Sequence, residues 1–151
     1  MDAGTFLGMR IDLVPGRLQE GYRYYHSVWK QKAGTWTHTA PAIHIDKIRD
    51  SGRTREIRAI KNWRKNHHLD FPSFYLELTV VNALSGCGSN LANNVQRVLH
   101  HIAATLTTAR VEDPANTNNI VSDDLTPTEK LKIAAQARRP YSEKYWQDTL
   151  W

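Results

Sequence analysis

Hydrophobic and polar residues alternate only near the start of the chain. Between residues 7 and 14 the apolar side chains share one face of a predicted strand, and Asp12 lies on the opposite face. The apolar positions are Leu7, Met9, Ile11 and Leu13. Residues 22–29 and 35–39 are rich in aromatic and β-branched side chains, which predicts a hairpin. No second stretch with a period of two follows Pro41, so strands are expected only before this point.

The rest of the chain has helical periodicity. A first helix is predicted over residues 52–66, where large apolar residues recur at helical spacing among basic ones. Its apolar positions are Ile57, Ile60 and Trp63. A second helix is predicted to begin at Pro72 and end near Gly86. Because this second helix has few polar positions, it is expected to lie at the centre of the helical domain.

Capping signals predict the later helices. Ser89 is the predicted N-cap of a third helix. Thr126 is followed by proline and, three residues after the threonine, by Glu129, which is the pattern of a capping box. Pro140 is expected to end that helix. Residues 141–151 are expected to form one last short helix.

These elements predict an α+β fold, in which short N-terminal antiparallel strands precede a bundle of four or five helices. Residues 1–50 would contain the strands, and residues 51–151 would form the helical domain. The small sheet is expected to be incomplete, and its free edge would favour dimerisation or strand exchange.

Composition narrows the class of protein. The formal net charge of +5, from 20 lysines and arginines against 15 aspartates and glutamates, suits an anionic partner such as a nucleotide or nucleic acid. Cys87 is the single cysteine, so there is no internal disulfide, and a reducing, cytoplasmic setting is expected. No apolar run approaches the ~20 residues that cross a bilayer, so no membrane partner is expected.

Five stretches resemble, in order and at plausible spacing, the C-terminal half of a nucleotidyltransferase. They are RIDLVPG (10–16), WTHTAPAIH (36–44), IRAIKNWRK (57–65), PSFYLELTVVNAL (72–84) and VEDPANTNNIV (111–121). The family is the cGAS/DncV-like nucleotidyltransferases (CD-NTases), which include oligoadenylate synthetase and cyclic GMP-AMP synthase. The resemblance is closest to the bacterial anti-phage signalling enzymes. It implies a palm strand and hairpin in residues 1–50.

The resemblance implies roles for four residues. Three carboxylates on a small sheet hold two Mg²⁺ ions in such enzymes, with Mn²⁺ as an alternative, and Asp12 would be the third of them, a catalytic and metal-binding residue. Lys61 would contact the donor triphosphate, for which a compact point charge is suited. Ser73 would contact the phosphates from the first helical turn. Phe74 would stack on the donor base.

Structural roles remain open for the same positions. Asp12 also fits a surface acid on an amphipathic strand, and Lys61 fits a solvated basic helix face. Ser73 also fits a helix cap, and Phe74 fits a core residue. Glu77 interrupts the buried helix and is interpreted as the salt-bridge partner of a basic residue on the preceding helix.

Two further segments have a structural interpretation. The asparagine-rich stretch at 111–121 is interpreted as a rigid turn between helices, because Asx side chains bond their own backbone. The stretch at 36–44 would form a sheet edge and lid, so His38 and His44 are candidate pocket-lining residues, with satisfied structural histidines as the alternative.

The implied activity is the joining of nucleoside triphosphates into cyclic or linear oligonucleotide second messengers of anti-phage or innate-immune signalling. The family's Gly-Ser turn and D-x-D or E-x-D pair do not precede Asp12. The chain is therefore expected to be inactive alone, as a fragment, part of a split enzyme or a degenerate relative. Its expected partners are nucleoside triphosphates and the missing N-terminal half or a second copy. A non-catalytic nucleotide- or nucleic-acid-binding module, or a helical interaction module, is the alternative.

Overall fold

The computed structural model describes residues 4–6, 9–11, 16–18, 20–21, 25–30 and 34–139. Strands precede helices along the chain, and the predicted α+β class is confirmed. Asp12 and the predicted last helix at 141–151 lie outside the described residues, as does Pro140. The division of the chain at residue 50 stays a prediction.

The N-terminal strands form two small antiparallel sheets. Strand β1 (Gly4–Phe6) pairs with β2 (Met9–Ile11), which lies within the predicted strand. Strands β3 (Gly16–Leu18), β4 (His26–Lys30) and β5 (Thr35–Thr39) form a sheet in that order. The predicted hairpin is therefore confirmed as β4–β5. Its turn contains Gly34, whose φ of +60° favours a residue without a β-carbon.

Five helices lie between residues 41 and 139. They are α1 (Pro41–Asp50), α2 (Thr54–Asn66), α3 (Ser73–Ala83), α4 (Leu91–Thr105) and α5 (Pro127–Arg138). The capping box of α5 is confirmed, with both reciprocal hydrogen bonds between Thr126 and Glu129. The predicted N-cap of α4 is wrong by one position. Asn90, not Ser89, accepts a hydrogen bond from the Asn93 N–H.

The core lies between α2, α3, α4 and α5. The three apolar residues predicted for α2 are buried, and Trp63 is wholly inaccessible to solvent. Helix α3 is central as predicted, since Tyr75, Leu76 and Val80 are fully buried. Helices α2 and α3 pack against each other and are joined by a short loop, so the last turns of α2 lie beside the first turn of α3.

Several elements were not predicted, among them β1 and β3 of the N-terminal sheets. Helix α1 begins at Pro41 and packs against α3. The stretch at 111–121 is not only a turn: β6 (Glu112–Asp113) and β7 (Asn116–Ile120) pair as a short hairpin before a 3₁₀ turn at Val121–Asp124. The prediction of no strand after Pro41 is therefore wrong. The Asx bonds are nevertheless present, because Asp113 accepts from the Ala115 N–H at 2.8 Å.

Candidate functional site

Polar side chains from α2 meet the N-terminal turn of α3. Arg64 donates from Nη1 to the Phe71 carbonyl at 2.6 Å and to Ser73 Oγ at 3.0 Å. One turn earlier on α2, Lys61 Nζ forms an ion pair with the Glu77 carboxylate. Because Ser73 and Glu77 are four residues apart, they share one face of α3, and the two contacts run parallel across the helix pair. The predicted salt bridge of Glu77 is thus confirmed.

Lys61 and Arg64 differ from the other cations of α2. Both are half-buried against α3, whereas Arg55, Arg58 and Lys65 are exposed. The exposed cations therefore fit the interpretation as a solvated basic helix face, and Lys61 does not. The contact of Arg64 with Ser73 carries no local sequence signal.

The N-terminus of α3 follows a proline. Pro72 is the N-cap residue and makes no side-chain cap hydrogen bond. Ser73 lies inside the helix and its hydroxyl accepts from Arg64, so its interpretation as a cap is wrong. The first N–H groups of a helix have no intrahelical partner and carry partial positive charge. With Lys61 and Arg64 beside it, this end of α3 favours an anionic ligand.

Phe74 contacts α1 from the same turn of α3. Its ring stacks on the imidazole of His44, with 4.0 Å between the ring centroids and 23° between the planes. Phe74 is only partly buried at the margin of the core, which leaves some of the side chain accessible. His44 Nε2 is 2.7 Å from Asp113 Oδ1 in β6. The sequence predicts His44 as a candidate pocket-lining residue, but it predicts only a turn for the segment that contains Asp113.

A cavity of about 410 Å³ lies beside these residues, a volume within the usual range of small-molecule sites. Its lining residues are His44, Ile45, Ile48, Arg49, Thr54 and Glu77. The cavity therefore connects the His44–Phe74 stack with the Lys61–Glu77 pair.

A larger open cavity of about 1070 Å³ lies between the α3–α4 loop and the first turns of α4. None of the predicted site residues lines it. Arg53 fixes this loop by donating to carbonyls such as that of Gly88 at 2.8 Å. Glu56, which is buried, accepts from Asn94 at 2.8 Å. These contacts stabilise the loop and give no reason to place the chemistry there.

Tyr75 anchors the same turn of α3 in the core. Its side chain is fully buried, and its hydroxyl has no hydrogen-bond partner among the described residues. Burial, with a smaller contribution from the charge of Asp123, raises the pKa of Tyr75 from 10.0 to about 12. The phenol is therefore neutral over the physiological range and acts as a packing group.

Comparison with known proteins gives a fold match. No family model matches the sequence, and a search of curated proteins finds no significant match. Among solved structures, E. coli MS115-1 CdnC with ATP matches at a TM-score of 0.75 and 19% identity, over 87% of this chain and 52% of that chain. The CdnC:HORMA-deltaN complex matches at 0.73 and 18%, over 87% and 51%. The chain shares its fold with about half of CdnC.

CdnC is a CD-NTase, so the predicted resemblance is confirmed at the level of the fold. The chain spans about half the length of the CdnC chains it matches. A sequence identity of 18–19% supports a shared fold alone. The chemistry of the site is therefore inferred from this chain's own residues.

Between residues 34 and 139 and in the described strands, no group of three or more histidine, cysteine or carboxylate side chains is placed to hold a metal ion. Within those segments no helix is both long and apolar enough to cross a membrane.

Proposed function

We propose that this chain is the C-terminal part of a cGAS/DncV-like nucleotidyltransferase that makes cyclic or linear oligonucleotide second messengers from nucleoside triphosphates. The observation that carries the proposal is the convergence of Lys61, Arg64, Ser73 and Phe74 on the first two turns of α3 and the adjacent face of α2. This convergence occurs in a fold shared with CdnC, one of whose structures is with ATP.

The triphosphate would bind at the N-terminal turn of α3. Lys61 would exchange its contact with Glu77 for a phosphate oxygen, and the Ser73 hydroxyl would donate to another. The N–H groups of the first turn would add further donors, since a helix N-terminus favours phosphate binding. Phe74, adjacent to Ser73 in the chain, would place its ring against the base.

Mg²⁺, or Mn²⁺ as an alternative, is the cofactor proposed for the intact enzyme, and Asp12 is its proposed ligand in this chain. The metal would neutralise the charge of the triphosphate when bound. Among the described residues, no group of three or more potential ligands is placed to hold a metal ion. We further propose that the chain binds nucleotide without catalysing transfer by itself, because the family's Gly-Ser turn and acidic pair do not precede Asp12, and that it acts with an N-terminal half or a second copy.

Titration of the 151-residue chain with ATP tests the proposal. Lys61→Ala is expected to weaken ATP binding about tenfold or more, because a hydrogen bond to a charged group contributes about 1.5–3 kcal/mol. Lys65→Ala is the matched control, since it removes the same charge from the exposed face of the same helix. Equal affinity of the wild-type chain and Lys61→Ala, or no ATP binding by either, would contradict the proposal.

A nucleic-acid-binding module is the second candidate. It is favoured by the exposed stripe of α2 formed by Arg55, Arg58 and Lys65, which recur at intervals of three and seven residues on one side of the helix. If this candidate is correct, Lys65→Ala weakens oligonucleotide binding, the affinity falls steeply with salt, and Lys61→Ala has no larger effect.

A further inference from the structure

We infer that His44 and Asp113 are positioning residues for Phe74, through which the β6–β7 hairpin sets the affinity of the site for the base of a nucleoside triphosphate. The inference rests on the proposed function, because it takes Phe74 to be the ring that contacts the base. The observation is a chain of two contacts that joins β6, α1 and α3, elements distant in sequence.

Asp113 is the fixed end of this chain of contacts. Its side chain is only 1% exposed. Oδ1 accepts from His44 Nε2 at 2.7 Å and from the Ala115 N–H at 2.8 Å, and Oδ2 accepts from Asn119 Nδ2 at 2.9 Å. A buried carboxylate requires such partners. Because each of its oxygens accepts a hydrogen bond, the carboxylate has a defined orientation and holds the hairpin and His44 together.

The hydrogen bond from His44 sets the orientation of its imidazole ring. An ionised carboxylate only accepts, so Nε2 carries the proton in this contact. The imidazole then lies nearly parallel to the Phe74 ring, 23° away, with the centroids 4.0 Å apart. His44 thus covers part of one face of Phe74 and limits rotation of that ring.

The hairpin is itself attached to the sheet. Asn116 Nδ2 donates to the His38 carbonyl of β5 at 3.1 Å, and β5 leads through Ala40 directly into α1. Asp113 and His44 therefore approach each other from two segments that the same strand holds in place. A purely structural role in the core would not require His44 to contact the partly exposed Phe74 ring, which lies next to Ser73.

An amide cannot replace the carboxylate of Asp113. In Asp113→Asn, the NH₂ group would face either the Nδ2 donor of Asn119 or the backbone N–H of Ala115. Either arrangement places two donors together and removes a hydrogen bond. His44→Gln keeps a side-chain donor for Asp113 but has no ring to place against Phe74. The two variants therefore interrupt the chain of contacts at different points.

Paired titrations with ATP and inorganic tripolyphosphate test the inference, because tripolyphosphate has the phosphate groups and no base. Asp113→Asn and His44→Gln are each expected to weaken ATP binding about two- to tenfold and to leave tripolyphosphate binding unchanged, since an aromatic contact is worth about this factor. Asp46→Asn, an exposed acid on the same helix as His44, makes the same charge change as Asp113→Asn and is expected to affect neither ligand.

The outcomes separate the inference from the function on which it rests. If Asp113→Asn and His44→Gln leave ATP binding unchanged, or weaken both ligands equally, the positioning role is overturned while the phosphate site stands. If the wild-type chain binds neither ligand, the proposed function fails and the inference fails with it. Lys61→Ala serves as the positive control, because it is expected to weaken both ligands.

Discussion

Replacing Tyr75 by phenylalanine gives the sharpest test of how α3 is held. The substitution removes a fully buried hydroxyl that has no hydrogen-bond partner among the described residues. An unsatisfied buried polar group destabilises the folded state, so removing this hydroxyl should lower the stability of the protein little or not at all. At pH 7 the free energy of unfolding of Tyr75→Phe is therefore expected to equal that of the wild-type chain or to exceed it by about 1 kcal/mol.

The effect of pH follows from the raised pKa of Tyr75. Below pH 10 the phenol is protonated in both the folded and unfolded states, so its contribution does not vary. Between its unfolded pKa of 10.0 and its folded pKa of about 12, the unfolded state loses the proton first, and the stability of the folded state falls. The loss is about 1.4 kcal/mol at pH 11 and about 2.7 kcal/mol above both pKa values.

Urea denaturation followed by tryptophan fluorescence at pH 8, 9, 10 and 11 measures this difference. The stability of Tyr75→Phe relative to the wild-type chain should be constant at pH 8 and 9. It should then increase by about 1.4 kcal/mol by pH 11. The other tyrosines ionise in both proteins and cancel in the comparison. A difference that stays constant up to pH 11 would mean that the Tyr75 phenol ionises equally in both states, which would refute its burial.

Two further substitutions test the cap of α5 and the charge balance of the site. Thr126→Ala removes the capping box and is expected to cost about 1 kcal/mol in urea denaturation, whereas Thr128→Ala, exposed in the same turn, should cost less; equal losses would contradict the role of the cap. Glu77→Gln removes the charge that pairs with Lys61 and is expected to tighten ATP binding about two- to fivefold in titrations, because the ion pair no longer competes with phosphate. Glu20→Gln, an exposed carboxylate in the β3–β4 turn, is its control, and an unchanged or weaker affinity in Glu77→Gln would count against Lys61 as a phosphate ligand.

The elements that the sequence predicts correctly are those with local signals. The apolar spacing of α2 and the capping box of α5 each lie within one element, so periodicity and short-range hydrogen bonds identify them. The β4–β5 hairpin has aromatic and β-branched strands on either side of Gly34. The N-cap of α4 differs by one position, because Ser89 and Asn90 are adjacent and both residue types cap helices.

The elements that were missed lack such signals. Helix α1 has no buried residue, and Ile45 is 62% exposed, so its apolar residues do not form a stripe that faces the core. The β6–β7 hairpin is rich in asparagine, which is uncommon in strands. Its placement depends on contacts of Asn116 with His38 and of Asp113 with His44, residues 78 and 69 positions away. Spacing within a short segment does not contain that information.

The candidate site also contains residues that the sequence identifies and residues that it does not. Lys61, Ser73 and Phe74 were identified by resemblance, and the structure brings these three to one turn of α3 and the adjacent face of α2. Arg64 was missed because its partner is selected by the crossing of two helices. Asp113 was missed as a site residue because its bond to the Ala115 N–H already explains an Asx turn.

The polar residues of α3 show what distinguishes a site residue on a buried helix. Thr79 donates to the Tyr75 carbonyl of its own helix, and Asn82 is exposed, so neither requires a neighbouring element. Ser73 and Glu77 instead meet cations of α2, Arg64 and Lys61. A polar side chain that interrupts an apolar helix must be satisfied locally, by solvent or by another element. Where the satisfying groups are two cations beside a helix N-terminus, the same cations can also contact an anionic ligand.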